Sequence, residues 1–183
     1  IASMPDVMKA IPEVDYEEEV IKAMVEAASA AAESLDAMRA VEGEKLKEDL
    51  LMRGELIRDI VRNIEVRAPL VVKDYTEKLY NRIKELTEGA VDVPEDRILM
   101  EAAVFADKSN ITEELVRLDS HMIQLRKILT SETSPVGKKL DFLVQEMNRE
   151  ANTIGSKSND MQITSLMLET KSEIEKIREQ IQN

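Results

Sequence analysis

The chain contains no cysteine and no tryptophan, and it has only three tyrosines, two phenylalanines, five glycines and five prolines among 183 residues. Without cysteine, a disulfide framework, a thiolate zinc site and a cysteine nucleophile are excluded. So few glycines and prolines cannot supply the tight turns that a β-sandwich or barrel needs at intervals of about 8–12 residues. With aromatics at 3%, the core has to be Leu, Ile, Val, Met and Ala, and the wealth of good helix formers makes an all-α chain the expectation. No apolar run approaches the roughly 20 residues of a membrane span, and no basic stretch leads into a hydrophobic one at the start. A cytoplasmic protein with no membrane partner is therefore expected. Ile1 stands first in place of Met, which implies a piece of a longer product.

Positive charge is scarce as well. Against 37 acidic residues there are 25 basic ones, a net charge of −12, which disfavours non-specific binding to polyanions and requires any nucleic-acid site to be local. The acidity is uneven: residues 1–66 carry eight basic and sixteen acidic side chains, whereas residues 107–160 carry eight and nine. The later segment can meet a phosphate at much lower electrostatic cost.

Asp15 followed by Glu18 reads as a capping box opening a helix near Tyr16. From there Ile21, Val25, Ala28, Ala32, Leu35, Met38, Leu46, Leu50, Ile57, Ile60, Val61 and Ile64 recur close to every 3.5 residues, with Gly43 and Gly54 between them. This predicts a rod of roughly 50 residues, about 75 Å long, with Gly43 the natural place for a bend. Its apolar stripe needs a partner helix or a second subunit. Pro69, at a first helical turn, predicts a restart, with Val72, Tyr75, Leu79, Ile83 and Leu86 on one face and Gly89 as the stop. Asp92 and Glu95 then cap a short helix through Ala106. A third helix carries Ile111, Leu115, Leu118, Met122, Leu125 and Leu129. Ser134-Pro135 opens the last helical stretch, which Ser156 to Asn159 can break. The expected division is an acidic helical arm, 1–68, and a C-terminal helical domain, 69–183.

The stretch from Gly137 to Asp160 is the most informative. Leu140, Leu143, Met147, Ala151 and Ile154 form an apolar seam on a helix, while Lys138, Asp141, Gln145, Asn148, Asn152 and Ser156 align on another face. A third line holds Glu146, Arg149, Glu150, Thr153 and Lys157. Asn, Thr and Ser lower helix propensity, so their presence points either to a polar network between helices or subunits or to ligand recognition. Upstream, Glu101 and Asp107 precede Glu113, Glu114, Arg117 and His121, the one histidine in the chain. Carboxylates with water can hold Mg²⁺ or Mn²⁺, and a nearby His can move a proton near neutral pH. A solvated charged flank is the plainer explanation for Glu113 and Arg117. Gly155-Ser156-Lys157-Ser158 looks like the end of a P-loop, but its first glycine is replaced by Glu150 and no buried strand precedes it. The ten methionines fill apolar seams.

The segments Glu101 to Leu115, Arg117 to His121 and Gly137 to Asp160 resemble the C-terminal domain of the bacterial YicC/YloC family. Glu42-Gly43, Asp49-Leu50 and Arg67-Ala68-Pro69 resemble its helical arm. The resemblance implies a metal-dependent endoribonuclease directed at single-stranded RNA, assembled as a ring-like homohexamer and engaged in RNA turnover. Phosphodiester cleavage needs charge neutralised on the phosphate and an activated nucleophile. On that chemistry, catalysis is assigned to His121, Glu146, Arg149 and Glu150, with His121 as the proton carrier. Metal ligation is assigned to Glu101, Asp107, Glu114 and Asp141, and RNA contact to Lys138, Lys139, Asn148, Asn152 and Lys157. The alternative is a non-catalytic oligomeric scaffold, or an adaptor serving an RNA-degrading exonuclease. Two departures from the family pattern stand out: the β-containing region that precedes the arm is missing, and Lys108 replaces the usual Arg, keeping the charge but losing the bidentate fork.

Overall fold

The computed structural model of the chain describes residues 18–87, 94–131 and 135–182. Among them it has five helices and no strand: α1 (Glu18–Leu86), α2 (Glu95–Lys108), α3 (Thr112–Ser131), α4 (Gly137–Lys157) and α5 (Met161–Gln182). The all-α class expected from composition is the class observed. The expected caps Asp15, Asp92 and Ser134 and the expected stop Gly89 lie outside the described residues. Packing divides the chain into two units, Ile1–Lys45 and Leu46–Asn183.

In the second unit the apolar stripes meet as their spacing dictates. α3 contributes Leu115, Leu118, Met122 and Leu125, and α4 contributes Leu140, Leu143, Val144, Met147, Ala151 and Ile154. Ile163, Met167, Ile174 and Ile177 come from α5, and Leu50, Ile57, Ile60, Val61, Ile64 and Val71 from the later half of α1. The residues from Leu50 to Ile64, read from sequence as part of the arm, are thus core residues of the compact unit. Its one aromatic stack, Tyr75 on Phe105 with centroids 3.8 Å apart, pins α2 to α1 among the described residues.

Pro69 does not restart the helix as its position had implied; α1 runs through it. Proline removes one backbone donor and crowds the carbonyl four residues back, which ordinarily breaks a helix. Here Glu65 and Pro69 are both exposed, so the freed carbonyl can be hydrated, while Ile64 and Val71 on either side hold the buried face in place. The break expected within Ser156 to Asn159 does occur. Asn159 takes a left-handed backbone (φ 45°), and Asp160 then caps α5 by accepting the Ile163 amide at 2.9 Å.

Arginines of α1 fasten it to the other helices. Arg53 reaches Glu173 of α5 at 2.8 Å, and Arg58 reaches Asp119 of α3 at 3.0 Å. Arg67 donates to Asp160 at 2.7 Å and to Asp74 at 2.6 Å, tying α1 to the α5 cap. The Arg67 hydrogen bond outweighs burial and, with the Ile163 and Gln162 amides, holds the Asp160 carboxyl below its ordinary range. Glu173 is lowered likewise, by Lys176 first and then, against burial, by Arg53.

In the first unit, residues 18–45 of α1 are exposed throughout. Val20, Ile21, Met24, Val25, Leu35, Met38 and Val41 are 46–64% exposed and keep close to helical spacing.

Two outcomes follow from this packing. Leu118→Ala removes a fully buried side chain of α3 and should cost about 2–5 kcal/mol in urea unfolding. Because the folded pKa values of Asp160 and Glu173 are depressed, their contribution is complete above the unfolded carboxylate range, about pH 4, and is lost as pH falls through the folded values. The unfolding midpoint should therefore drop below about pH 4, and Asp160→Asn should flatten that drop while lowering stability at pH 7.

Candidate metal centre

Helix α4 packs its seam between α3 and α5, and what matters for chemistry is the edge of that seam facing α3. Glu150 follows Met147 and precedes Ala151, both fully buried, and is itself only 4% exposed. Glu146, one helical turn earlier, is half-buried. On α3, His121 sits beside the buried Met122 and one turn from the buried Leu118, so its ring is directed along the same edge. The structure consequently brings His121, Glu146 and Glu150 together, with one ligand-capable atom from each lying within 4.8 Å of the others.

This cluster is electrostatically incomplete. The Arg117 guanidinium is 3.7 Å from Glu150 while also engaging Glu113, and the Arg149 guanidinium is 3.7 Å from Glu146. Both cations stand beyond hydrogen-bond range of the two cluster carboxylates. His121 Nδ1 is buried and has no hydrogen-bond partner among the described residues. Among the described residues, a carboxylate only 4% exposed with its cation 3.7 Å away, next to an unmatched imidazole nitrogen, is an arrangement that normally costs stability. Two carboxylates and one imidazole are a donor set for a small divalent cation such as Mn²⁺ or Mg²⁺, which would neutralise both acids. The residues fit such an ion.

The other residues singled out from sequence are placed differently. Glu101 and Asp107 are exposed on α2. Asp141 accepts from Gln145 at 2.9 Å and from Gln182 at 3.4 Å. Glu114 is 5% exposed; one of its oxygens accepts from Lys157 at 2.6 Å across the α3–α4 contact, and the other is buried with no hydrogen-bond partner among the described residues. Burial pushes the Glu114 carboxyl up, but Lys157, the residue's own backbone and Arg117 together outweigh it and leave it below its ordinary value. Among the described residues, the four side chains assigned to metal from sequence form no group of three ligands, whereas three of the four assigned to catalysis do. Lys138 and Lys139 are exposed in the first turn of α4, and Asn148 and Asn152 lie across α4 in a groove beside Arg149. The signal for the cluster was present in the chain: Glu146 and Glu150 are four apart on the flank of a seam, and the lone histidine adjoins the facing seam.

Residues 64–183 match the family model described as Endoribonuclease YicC-like, C-terminal. The chain belongs to this family. It is 48% identical over 184 aligned residues to a protein named probable endoribonuclease YicC from Clostridioides difficile, covering 100% of this chain and 62% of that one. It is 37% identical over 147 residues to a protein of the same name from Haemophilus influenzae, covering 80% of this chain and 50% of that one. The chain thus spans 62% and 50% of the length of these two YicC relatives. The three clustered side chains and the Lys157–Glu114 pair all fall within the segment that the YicC-like model matches. None of the helices among the described residues is long and apolar enough to cross a membrane.

Lys157, expected from sequence to touch RNA, also makes a contact that contributes to stability, its pair with Glu114. Lys157→Ala should lower stability by about 1–3 kcal/mol, less than for a fully buried pair because 41% of the lysine side chain remains in water. Thermal unfolding of this variant and of the Lys157→Ala/Glu114→Gln double variant checks it: the second change should restore part of the loss.

Proposed function

We propose that this chain carries the catalytic portion of a metal-dependent endoribonuclease that cuts single-stranded RNA. The observation that carries this reading is the convergence of His121, Glu146 and Glu150 within 4.8 Å, with a buried carboxylate and an unmatched buried imidazole nitrogen. The name probable endoribonuclease YicC, borne by both relatives, supports RNA as the substrate. His121, Glu146 and Glu150 would hold Mn²⁺ or Mg²⁺. Such an ion, when bound, supplies charge neutralisation at the phosphate and lowers the pKa of water for attack.

The protein's own part is positioning and charge. Arg149, with 71% of its side chain exposed and a long pair to Glu146, is free to turn toward a phosphate as negative charge builds there. Arg117, shared between Glu113 and Glu150, holds the second carboxylate in place. Assigning His121 to ligation in place of proton transfer leaves the proton to solvent at the open side of the cluster, where Glu146 is half-buried.

A homo-oligomer, in the hexameric ring that the family resemblance implies, is the proposed assembly. The apolar side chains exposed along residues 20–41 support it, since a stripe of that kind is covered by association. A scaffold role has the same support, and the two readings diverge at the cluster, where the nuclease reading requires His121 beside two acids to hold an ion and the scaffold reading requires only a polar network. The cytoplasm is the proposed compartment, and an exonuclease that consumes the cut ends is a proposed partner.

The test is cleavage of a labelled single-stranded RNA by the full-length protein. Glu146→Gln and Glu150→Gln should each lower the metal-dependent rate by about 100-fold or more with the oligomer unchanged. Because one donor is imidazole, Mn²⁺ should support cleavage at lower concentration than Mg²⁺. Full activity in both variants would refute the assignment, and loss of the oligomer without any cleavage in the parent protein would favour the scaffold.

A further inference from the structure

Across α4 from the metal centre lies a groove of about 460 Å³, lined by Gln145, Asn148, Arg149, Asn152 and Thr153 of α4 and by Arg178 of α5 over a floor that includes Val144. Two other clefts on the molecule each carry acids, Glu77 and Glu95 in one and Glu65 in the other. This groove has two guanidiniums and no carboxylate in its lining, on a chain whose net charge is −12. Its lining therefore offers cations without acids, which is what a polyanion requires on an acidic chain.

Both arginines can be recruited. Arg149 pairs with Glu146 at 3.7 Å and Arg178 with Glu175 at 3.4 Å, each three residues away on its own helix, with the arginine side chains 71% and 45% exposed. Exposed pairs of this kind contribute little, so a phosphate competes with them easily. Between the guanidiniums stand side-chain amides, which offer a donor and an acceptor together and so can meet a base edge or a ribose hydroxyl. Asn152 is exposed, so its choice over Glu, Lys or Gln is explained neither by packing nor by helix propensity. Arg149 links the groove to the metal centre through its pair with Glu146.

We propose that this groove seats a nucleotide neighbouring the scissile phosphate of a single-stranded RNA, with its phosphate between Arg149 and Arg178 and its base or ribose against Asn148 and Asn152. The inference rests on the nuclease reading above. Arg178 is then a positioning residue for RNA, supplied by a different helix from the cluster acids. It acts on how the strand is held and not on the reacting atoms.

Two measurements on the full-length protein test it. In chelator, binding of a short labelled single-stranded RNA is followed by anisotropy across a salt series. Arg178→Ala should weaken binding by about tenfold and reduce the slope of log K against log salt by about 0.7, the amount for one phosphate on a single strand. Arg178→Lys should recover the slope but only part of the affinity, since the charge returns without the fork. In metal, Arg178→Ala should raise KM more than it lowers kcat, whereas Glu146→Gln should lower kcat while leaving RNA binding in chelator near the parent value. Parent-like affinity and salt slope in both Arg178→Ala and Asn152→Ala would overturn the groove while leaving the nuclease reading intact. Weakened binding in these variants together with full cleavage by Glu146→Gln and Glu150→Gln would keep the groove and refute the metal centre. Absence of RNA binding in the parent protein would refute both.

Discussion

The arrangement depends on one costly act: placing the Glu150 carboxylate at the rim of an apolar seam where it is 4% exposed. A carboxylate removed from water is tolerated when a cation or several donors meet it closely, and the nearest cation here, Arg117, stays at 3.7 Å. That helix α4 nonetheless keeps it there follows from the seam itself. Met147, Ala151 and Ile154 are fully buried between α3 and α5, and rotating α4 to expose Glu150 would expose them too. The hydrophobic contacts thus hold an acid, and His121 beside it, at the rim of the seam, where the proposed cation would meet them. Glu114 offers a partial contrast within the same interface: it is as deeply buried, but Lys157 meets one of its oxygens at 2.6 Å, while the other is buried without a hydrogen-bond partner among the described residues.

The same contacts are what the later half of α1 serves. Leu50, Ile57 and Ile64 cap the bundle, and Arg53, Arg58 and Arg67 fix the position of α1 against α5, α3 and the α4–α5 connection in turn. Fixing the Asp160 cap through Arg67 sets where α4 ends and α5 begins. This determines how Arg178 on α5 is presented to the amides of α4. In a chain with almost no aromatic residues, the rigidity needed to hold a site comes from these ion pairs together with aliphatic interdigitation.

Much of this could be read from the residues alone, for a physical reason: amphipathic periodicity reports burial wherever a helix has one apolar face. The seams of α3 and α4 are as their spacing implies, and the family motifs lie in the segment that the family model matches. Legibility failed where the answer depends on partners distant in sequence. Glu150 lies at the edge of the α4 wheel, and nothing local says whether an edge residue faces solvent or α3. Glu114 and Lys157 are 43 positions apart, so the pair they form across the α3–α4 contact has no local signature. Pro69 was read through a local rule about missing amides, while burial on both sides of it carries α1 through. Arg178 drew no notice because an arginine near the end of an amphipathic helix looks like any solvated residue until α4 is set beside it.

The central claim is that the cluster is a cation site, and the most direct measurement is Mn²⁺ binding without any substrate. Titration of the protein with Mn²⁺, read by the loss of the free-ion electron paramagnetic resonance signal and by calorimetry, should show one site per chain. That site should vanish in Glu150→Gln and in His121→Ala while circular dichroism stays unchanged. Equal Mn²⁺ uptake by the parent and both variants, or no uptake by the parent, would contradict the account and leave Glu150 as a buried acid held by Arg117 alone.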